Sequence, residues 1–331
     1  MRVSVVVPCY RSPRTLPKLV ARLVEVMPTA TSAYEVILVV DGSPDDTWDV
    51  ARHLALQEGP VRAIRLARNY GQHNALIAGV RAARYDVVVT MDDDLQHPPE
   101  EIPKLLDALT DDLDLVYGLP TAEEHGFARS FASRLVKSAL SGPMGVQNAK
   151  LLSAFRAFRT FLRDGWDHVH GPHVSLDLCL SWATTRVGSA RIRMDERADG
   201  RSNYTVKALF RHALNMVLGF STKPLRLVTY VGLLVGVAGL VLAGTVLWLY
   251  LAGRTTVAGF TTVASMVAFF SAAQMVGIGV LGEYLGRIHA GGMGRPTYLV
   301  RERVNGEPPT DPREALSGGL GHGQEDVAPL P

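Results

Sequence analysis

Two stretches of this chain carry no charged side chain at all: residues 227–251, 25 in a row, and residues 255–282, 28 in a row. A helix needs about 20 apolar residues to cross the hydrocarbon core of a bilayer, so each run is long enough to span it. A pair of buried core helices in a soluble domain is the competing fold. The connector between the runs is very short and centred on Arg254, which predicts an antiparallel hairpin. Lys223 and Arg226 precede the hairpin, and Arg287, Arg295, Arg301 and Arg303 follow it. The positive-inside rule places both flanks in the cytoplasm.

These runs explain why 47% of the 331 residues are hydrophobic and only 20% charged. The formal net charge of +2 excludes a nucleic-acid binder that works through a basic excess. Cys9 and Cys179 are too distant in sequence for a local metal motif and read as buried, reduced thiols. Residues 3–7 are too few for the apolar core of a signal peptide, end at Pro8 and lack a small-residue cleavage site. The N-terminal part is therefore expected to stay in the cytoplasm.

That part alternates strand and helix patterns. Residues 3–7, 35–40, 61–66, 86–91 and 114–117 read as strands, with helical spacing at 14–27 and 74–83 and helix starts at Pro44 and Pro98. Such alternation predicts a mainly parallel sheet with ligands beyond the carboxyl ends of its strands. The loops after Val7, Val40, Leu66 and Met91 share that edge. Residues 127–162 have a helical, amphipathic pattern, and 187–194 read as a later strand. Residues 205–219, with Lys207, Arg211 and His212, suit a helix lying on a membrane surface, or an ordinary half-buried one.

Asp92-Asp93-Asp94 stands at the end of the fourth strand. Three adjacent carboxylates repel one another, and a divalent cation compensates that repulsion. Oxygen-only ligation suits Mg²⁺ or Mn²⁺ bridging carboxylates to a diphosphate. In extended chain, residues 92 and 94 point one way and 93 the other, which assigns Asp92 and Asp94 to the metal. A solvated helix start is the plainer account of an acidic triplet.

The surrounding residues carry a resemblance. Val5-Val6-Val7-Pro8-Cys9-Tyr10, Val40-Asp41-Gly42-Ser43-Pro44-Asp45, Arg68-Asn69-Tyr70-Gly71 and Met91-Asp92-Asp93-Asp94-Leu95-Gln96-His97-Pro98-Pro99-Glu100 resemble family 2 glycosyltransferases of GT-A fold. Phe155-Arg156-Ala157-Phe158, Gly200-Arg201-Ser202-Asn203-Tyr204, Lys223-Pro224-Leu225-Arg226 and Leu281-Gly282-Glu283-Tyr284-Leu285-Gly286-Arg287 extend it to the polyprenyl-phosphate sugar transferases, relatives of dolichol-phosphate mannose synthase. The resemblance implies a GT-A domain over 1–204, a juxtamembrane amphipathic helix over 205–226, two transmembrane helices over 227–287, and a cytoplasmic tail over 288–331, disordered from about 305. It implies an inner (cytoplasmic) membrane protein, multi-pass, with its catalytic domain facing the cytoplasm.

By the same resemblance, Pro8, Tyr10 and Asp41 line the nucleotide base pocket, Asp92 and Asp94 hold the metal and diphosphate, and Gln96 lies near the donor sugar. Arg156, Arg197 and Ser202 match the surroundings of the acceptor phosphate, and the basic Arg129 is added to them as a phosphate-binding candidate; Asp94, Asp177, Arg156 and Arg197 are the catalytic candidates. The partners implied are a nucleotide-sugar donor, a polyprenyl phosphate acceptor (undecaprenyl, decaprenyl or dolichyl) and the bilayer, with no nucleic acid; a homo-oligomer stays open.

Two positions depart from the family pattern. Ala154 stands where many relatives carry an acid, and Leu119 where an arginine commonly follows the glycine matching Gly118. Asp177 is the substitute candidate for the missing acid, and a buried, hydrogen-bonded aspartate is the alternative. A phosphate monoester has a second pKa of about 6, so such an acceptor is already a charged nucleophile near neutrality and needs no strong base. A transferase acting on a hydroxyl acceptor and a non-catalytic membrane adaptor that kept the fold are the rival readings. A processive polysaccharide synthase would carry Gln-x-x-Arg-Trp and more spans, and a nicotinamide oxidoreductase a G-x-G-x-x-G after the first strand; neither pattern is present.

Overall fold

The computed structural model describes residues 1–121, 152–166, 169, 174–195, 223–254, 259–293 and 296–305. Arg129, Arg197, Ser202 and the amphipathic helix expected over 205–219 lie outside these residues. The chain divides into two compact units. The first holds the described residues up to 195 and again from 296; the second holds a pair of long helices.

The first unit is an eight-stranded sheet. Its strands are β1 (Arg2–Cys9), β2 (Ala33–Val40), β3 (Val61–Leu66), β4 (Val87–Thr90), β5 (Leu115–Pro120), β6 (Arg156–Arg159), β7 (Val187–Ile192) and β8 (Val300–Val304). Their spatial order is β7-β5-β6-β4-β1-β2-β3-β8. Parallel pairing joins β4, β1, β2 and β3 in turn, and also β5 with β7. Strands β6 and β8 run antiparallel to their neighbours.

Both faces of the sheet are covered, which is why its central strands read as unbroken apolar runs. Val3, Val5 and Val7 of β1 pack with Val36 and Leu38 of β2 under α1 (Leu16–Ala30), α2 (Thr47–Gln57) and α4 (Ile102–Ala108). On the opposite face, Val6, Ile37 and Val39 meet α3 (Gln72–Ala82), α5 (Leu176–Ala183) and a 3₁₀ segment, Thr160–Trp166. The small residues of α3 have a specific cause. A β-carbon built on Gly79 would stand 2.3 Å from Val6 Cγ1, so the helix approaches β1 at a distance that only glycine permits.

Two elements differ from expectation. Residues 127–151 of the stretch expected to be helical lie outside the described residues, and near its end residues 156–159 form β6. There Ala157 joins the core on one face of the sheet and Phe158 the core on the other, a period of two rather than 3.6. Insertion between β4 and β5 decides this, because pairing on both sides satisfies the strand's backbone. The second is β8, in the segment expected to be tail. It closes the sheet against β3, and Asn305 Nδ2 donates to the Ala55 carbonyl at the end of the adjoining helix.

The second unit contains α6 (Lys223–Leu251, 29 residues) and α7 (Phe260–Gly292, 33 residues). They run antiparallel: Gly239 faces Phe270, and Val228 faces Gly277. Among the described residues no helix is long and apolar enough to cross a membrane.

Candidate active site

A cavity of about 390 Å³ opens beyond the carboxyl ends of β1 to β4. Its walls come from the ends of those strands and the segments that follow them: residues 8–12 at the end of β1, Asp41 after β2, Asn69, Gly71 and Gln72 after β3, and Asp92 to Asp94 after β4. Since β2 and β3 lie to one side of β1 and β4 to the other, the strand order reverses at β1, where open sheets of this kind leave a crevice. The Tyr10 N–H spans that crevice and donates to Asp93 Oδ2 at 3.1 Å.

The aspartate triplet lies past the end of β4, in a turn that Leu95 leaves with φ of 64°. The strand-like alternation expected for residues 92–94 therefore does not hold, and Asp93 lines the cavity with its two neighbours. Burial pushes the Asp93 carboxyl upward, an effect that the Tyr10 N–H opposes and the adjacent Asp94 reinforces. Asp94 Oδ1 accepts from the Gln96 backbone N–H at 3.1 Å, and Asp92 Oδ1 from Gln72 Nε2 at 2.6 Å.

Asp41 is 3% exposed, and its two oxygens accept from the backbone N–H groups of Tyr70 and Gly71, each at 2.7 Å. Burial raises its pKa, and those two N–H groups with Arg68 pull it back down. Asp41 thus shapes the loop after β3 as well as lining the cavity. Pro8 and Tyr10 line the same cavity; the Tyr10 side chain is 44% exposed, with the Arg11 guanidinium over its ring. Gln96 lies at the far side of the turn, where its carbonyl accepts from Asp195 N–H at 3.0 Å.

Arg156, on β6 beside β4, is 1% exposed. Its Nε donates to Thr90 Oγ1 at 3.0 Å, its Nη1 is paired with Asp177, and its guanidinium lies 5.9 Å from the Tyr117 ring centre. The guanidinium is thus enclosed among Thr90, Asp177 and Tyr117. Asp177 is its counter-ion, with a side chain 24% exposed. Ala154, at the position of the missing acid, offers only its carbonyl, which Thr90 Oγ1 meets at 2.8 Å.

Two residues escaped the sequence reading. Gln72 has no intrinsic chemistry that marks it, and only its contact with Asp92 does so. His97 is 5% exposed, stacks on Phe155 with ring centres 5.1 Å apart, and has no partner for Nδ1. Burial holds its pKa down at about 4, with Asp94 pulling it up and Arg156 pushing it further down.

Could the triplet hold a cation? Asp92 and Asp94 supply hard oxygen donors of the kind Mg²⁺ and Mn²⁺ prefer. Among the described residues no three His, Cys, Asp or Glu side chains form a complete metal cage. Asp92 and Asp94 would supply two oxygen ligands of such an ion, and the rest would come from outside these side chains.

Comparison with known proteins agrees with this geometry. The family model of glycosyl transferase family 2 matches residues 4–168. The undecaprenyl-phosphate 4-deoxy-4-formamido-L-arabinose transferase of Serratia proteamaculans is 33% identical over 93% of this chain and 95% of its own length. The transferase of the same name from Sodalis glossinidius is 32% identical over 95% and 97%. The sheet is similar to glucosyl-3-phosphoglycerate synthase from Mycobacterium tuberculosis, solved with Mn²⁺, UDP-glucose and phosphoglyceric acid. The TM-score is 0.50 at 19% identity, over 66% of this chain and 78% of that one, a likeness of fold alone. The fold is GT-A-like and the protein a glycosyltransferase: the chain belongs to glycosyl transferase family 2, among the polyprenyl-phosphate sugar transferases.

Proposed function

We propose that this protein transfers a sugar from a nucleotide diphosphate to a polyprenyl phosphate at the cytoplasmic face of the membrane. One observation carries the reading. The chain matches undecaprenyl-phosphate sugar transferases over 93% of its length, a span long enough to take in both the aspartate turn and the helical hairpin.

The donor half rests on the cavity at the carboxyl ends of β1 to β4. Asp41 and Tyr10 lie where a nucleotide base would enter, and Asp92 and Asp94 would hold a Mg²⁺ or Mn²⁺ ion against the diphosphate. Such an ion offsets the negative charge of a departing diphosphate. Burial raises the pKa of both Asp41 and Asp93, so a cation nearby would favour their charged forms.

The acceptor half assigns Arg129, Arg197 and Ser202 to the lipid phosphate, with Arg156 and Asp177 bracing the wall behind β4. A phosphate monoester is largely ionised at neutral pH, so these residues need to orient and neutralise it rather than remove a proton. Arginines suit that task because a guanidinium grips phosphate with two parallel hydrogen bonds. The oxygen of the lipid phosphate attacks the anomeric carbon as the diphosphate leaves, with inversion.

The hairpin reading rests on sequence and length. Helices of 29 and 33 residues extend about 43 and 50 Å at about 1.5 Å per residue, more than a ~30 Å hydrocarbon core. Leu233, Leu234 and Trp248 of α6 and Met275 and Leu281 of α7 are all more than half exposed, as lipid-facing side chains would be. The chain leaves the sheet unit before α6 and returns to it at β8, which requires an even number of crossings.

The test is the purified full chain in detergent, given a panel of nucleotide sugars and undecaprenyl phosphate, with lipid-linked sugar followed by thin-layer chromatography and mass spectrometry. Product is expected with one donor, and Asp94→Asn is expected to lower turnover about a hundredfold or more. Absence of product with every donor, together with nucleotide binding that Asp94→Asn leaves unchanged, refutes the proposal.

A further inference from the structure

Gln72 is the first residue of α3, and its side chain reaches across the cavity to the aspartate turn. Its partner there is a carboxylate, which can only accept, so the atom it presents is the amide nitrogen. The Nε2···Oδ1 separation of 2.6 Å is that of a short, charge-assisted hydrogen bond. An amide on an exposed helix end would ordinarily be solvated and mobile. Holding it at one carboxylate oxygen requires that the backbone beneath it be fixed.

That backbone is fixed at three points. At its base, Ala67 N–H donates to the Leu299 carbonyl at 2.8 Å, where the chain approaches β8. One step along, Gly42 packs so closely that a β-carbon on it would stand 2.2 Å from the Arg68 carbonyl carbon. Asp41 then takes the N–H groups of Tyr70 and Gly71 on its two oxygens. Gly71, with φ of 96°, turns the chain into α3, which the close approach of Gly79 to Val6 holds against β1. Residues 67–72 therefore form a braced arm whose tip is the Gln72 amide.

We propose that Gln72 is a positioning residue of the donor site, holding the Asp92 carboxylate in the orientation that receives a divalent cation with its nucleotide diphosphate. The inference rests on the reading of Asp92 as a donor-side ligand. A hydrogen bond to one oxygen of a ligating carboxylate restricts its rotation, and loss of such a supporting contact typically weakens metal affinity about 10–100-fold. Gln72 does not touch the reacting atoms, so its removal should act on occupancy of the site more than on turnover once the site is filled.

The experiment uses the full chain in detergent, titrated with Mn²⁺ in the presence of UDP and, separately, GDP. Metal-dependent nucleotide binding is read by calorimetry, and the thermal midpoint of each variant is measured without metal. Gln72→Ala is expected to raise the half-saturating Mn²⁺ concentration about tenfold, with the metal-free midpoint within a few degrees of wild type. Gln72→Asn keeps the amide but shortens the reach by one methylene, so it is expected to behave like Gln72→Ala; it decides the matter if the alanine variant folds poorly. Asp92→Asn serves as the control. If it raises the Mn²⁺ requirement while both Gln72 variants stay within twofold of wild type, the positioning role is overturned and the donor-site reading stands. If Asp92→Asn also changes nothing, the assignment of Asp92 fails and the role of Gln72 falls with it.

Discussion

His97 stands three positions beyond Asp94, yet it belongs to the interior, stacked on Phe155 and almost without exposure. Its folded pKa of about 4 lies below the 6.5 of a free histidine. A group depressed in this way contributes its full stability above pH 6.5, and that contribution is lost as pH falls towards 4 and the unfolded chain takes up the proton first. The difference amounts to about 3 kcal/mol at the acid end. Thermal midpoints of the metal-free protein between pH 7 and pH 4 should therefore fall more steeply for wild type than for His97→Phe, which keeps the stack and cannot titrate. Equal slopes would show that His97 is not buried in its neutral form. Residues of this kind mark the limit of sequence reading. Pro8, Tyr10 and Asp41 were legible through the family resemblance of the motifs around them, Asp92 and Asp94 also through their place after a strand, and the structure gathers all five around one cavity. The Arg156–Asp177 pair was not, since its partners are 21 positions apart and become neighbours only when β6 enters the sheet beside β4.

At the scale of elements, the central strands and the helices over them were legible, because a doubly covered sheet writes itself as apolar runs alternating with amphipathic ones. Strand β6 was hidden by its brevity: four residues, two of them arginines, give no apolar alternation to detect. The arm over residues 67–72 was visible only as a family motif, and its stiffness emerges from contacts with β2 and the chain before β8. Gly42 tests that stiffness. With φ of 56° and the Arg68–Asn69 backbone against it, a methyl group there meets both an unfavourable conformation and a steric clash. Gly42→Ala should cost about 2–4 kcal/mol of stability, read as a lowered thermal midpoint, and should weaken nucleotide binding. A variant with wild-type midpoint and affinity would mean that the arm yields readily.

At the scale of the whole molecule, the proposed topology makes a claim about Arg254, which lies between α6 and α7 and is exposed. In the orientation with both flanks in the cytoplasm, this turn emerges on the opposite side of the membrane. The native cysteines, Cys9 and Cys179, are both buried, so a cysteine placed at 254 gives a clean signal. Arg254→Cys should react with a membrane-impermeant maleimide added outside intact spheroplasts, without lysis. Labelling only after lysis would reverse the topology. Strand β8 adds a consequence in time rather than space. Translation delivers β8 after all the other described strands, and after the 33 residues of α7. Until then β3 presents a bare strand edge, a template for pairing with other chains. The nascent sheet is thus incomplete throughout synthesis of the hairpin, and its own C-terminal segment acts as the late-arriving cap that ends this period of vulnerability.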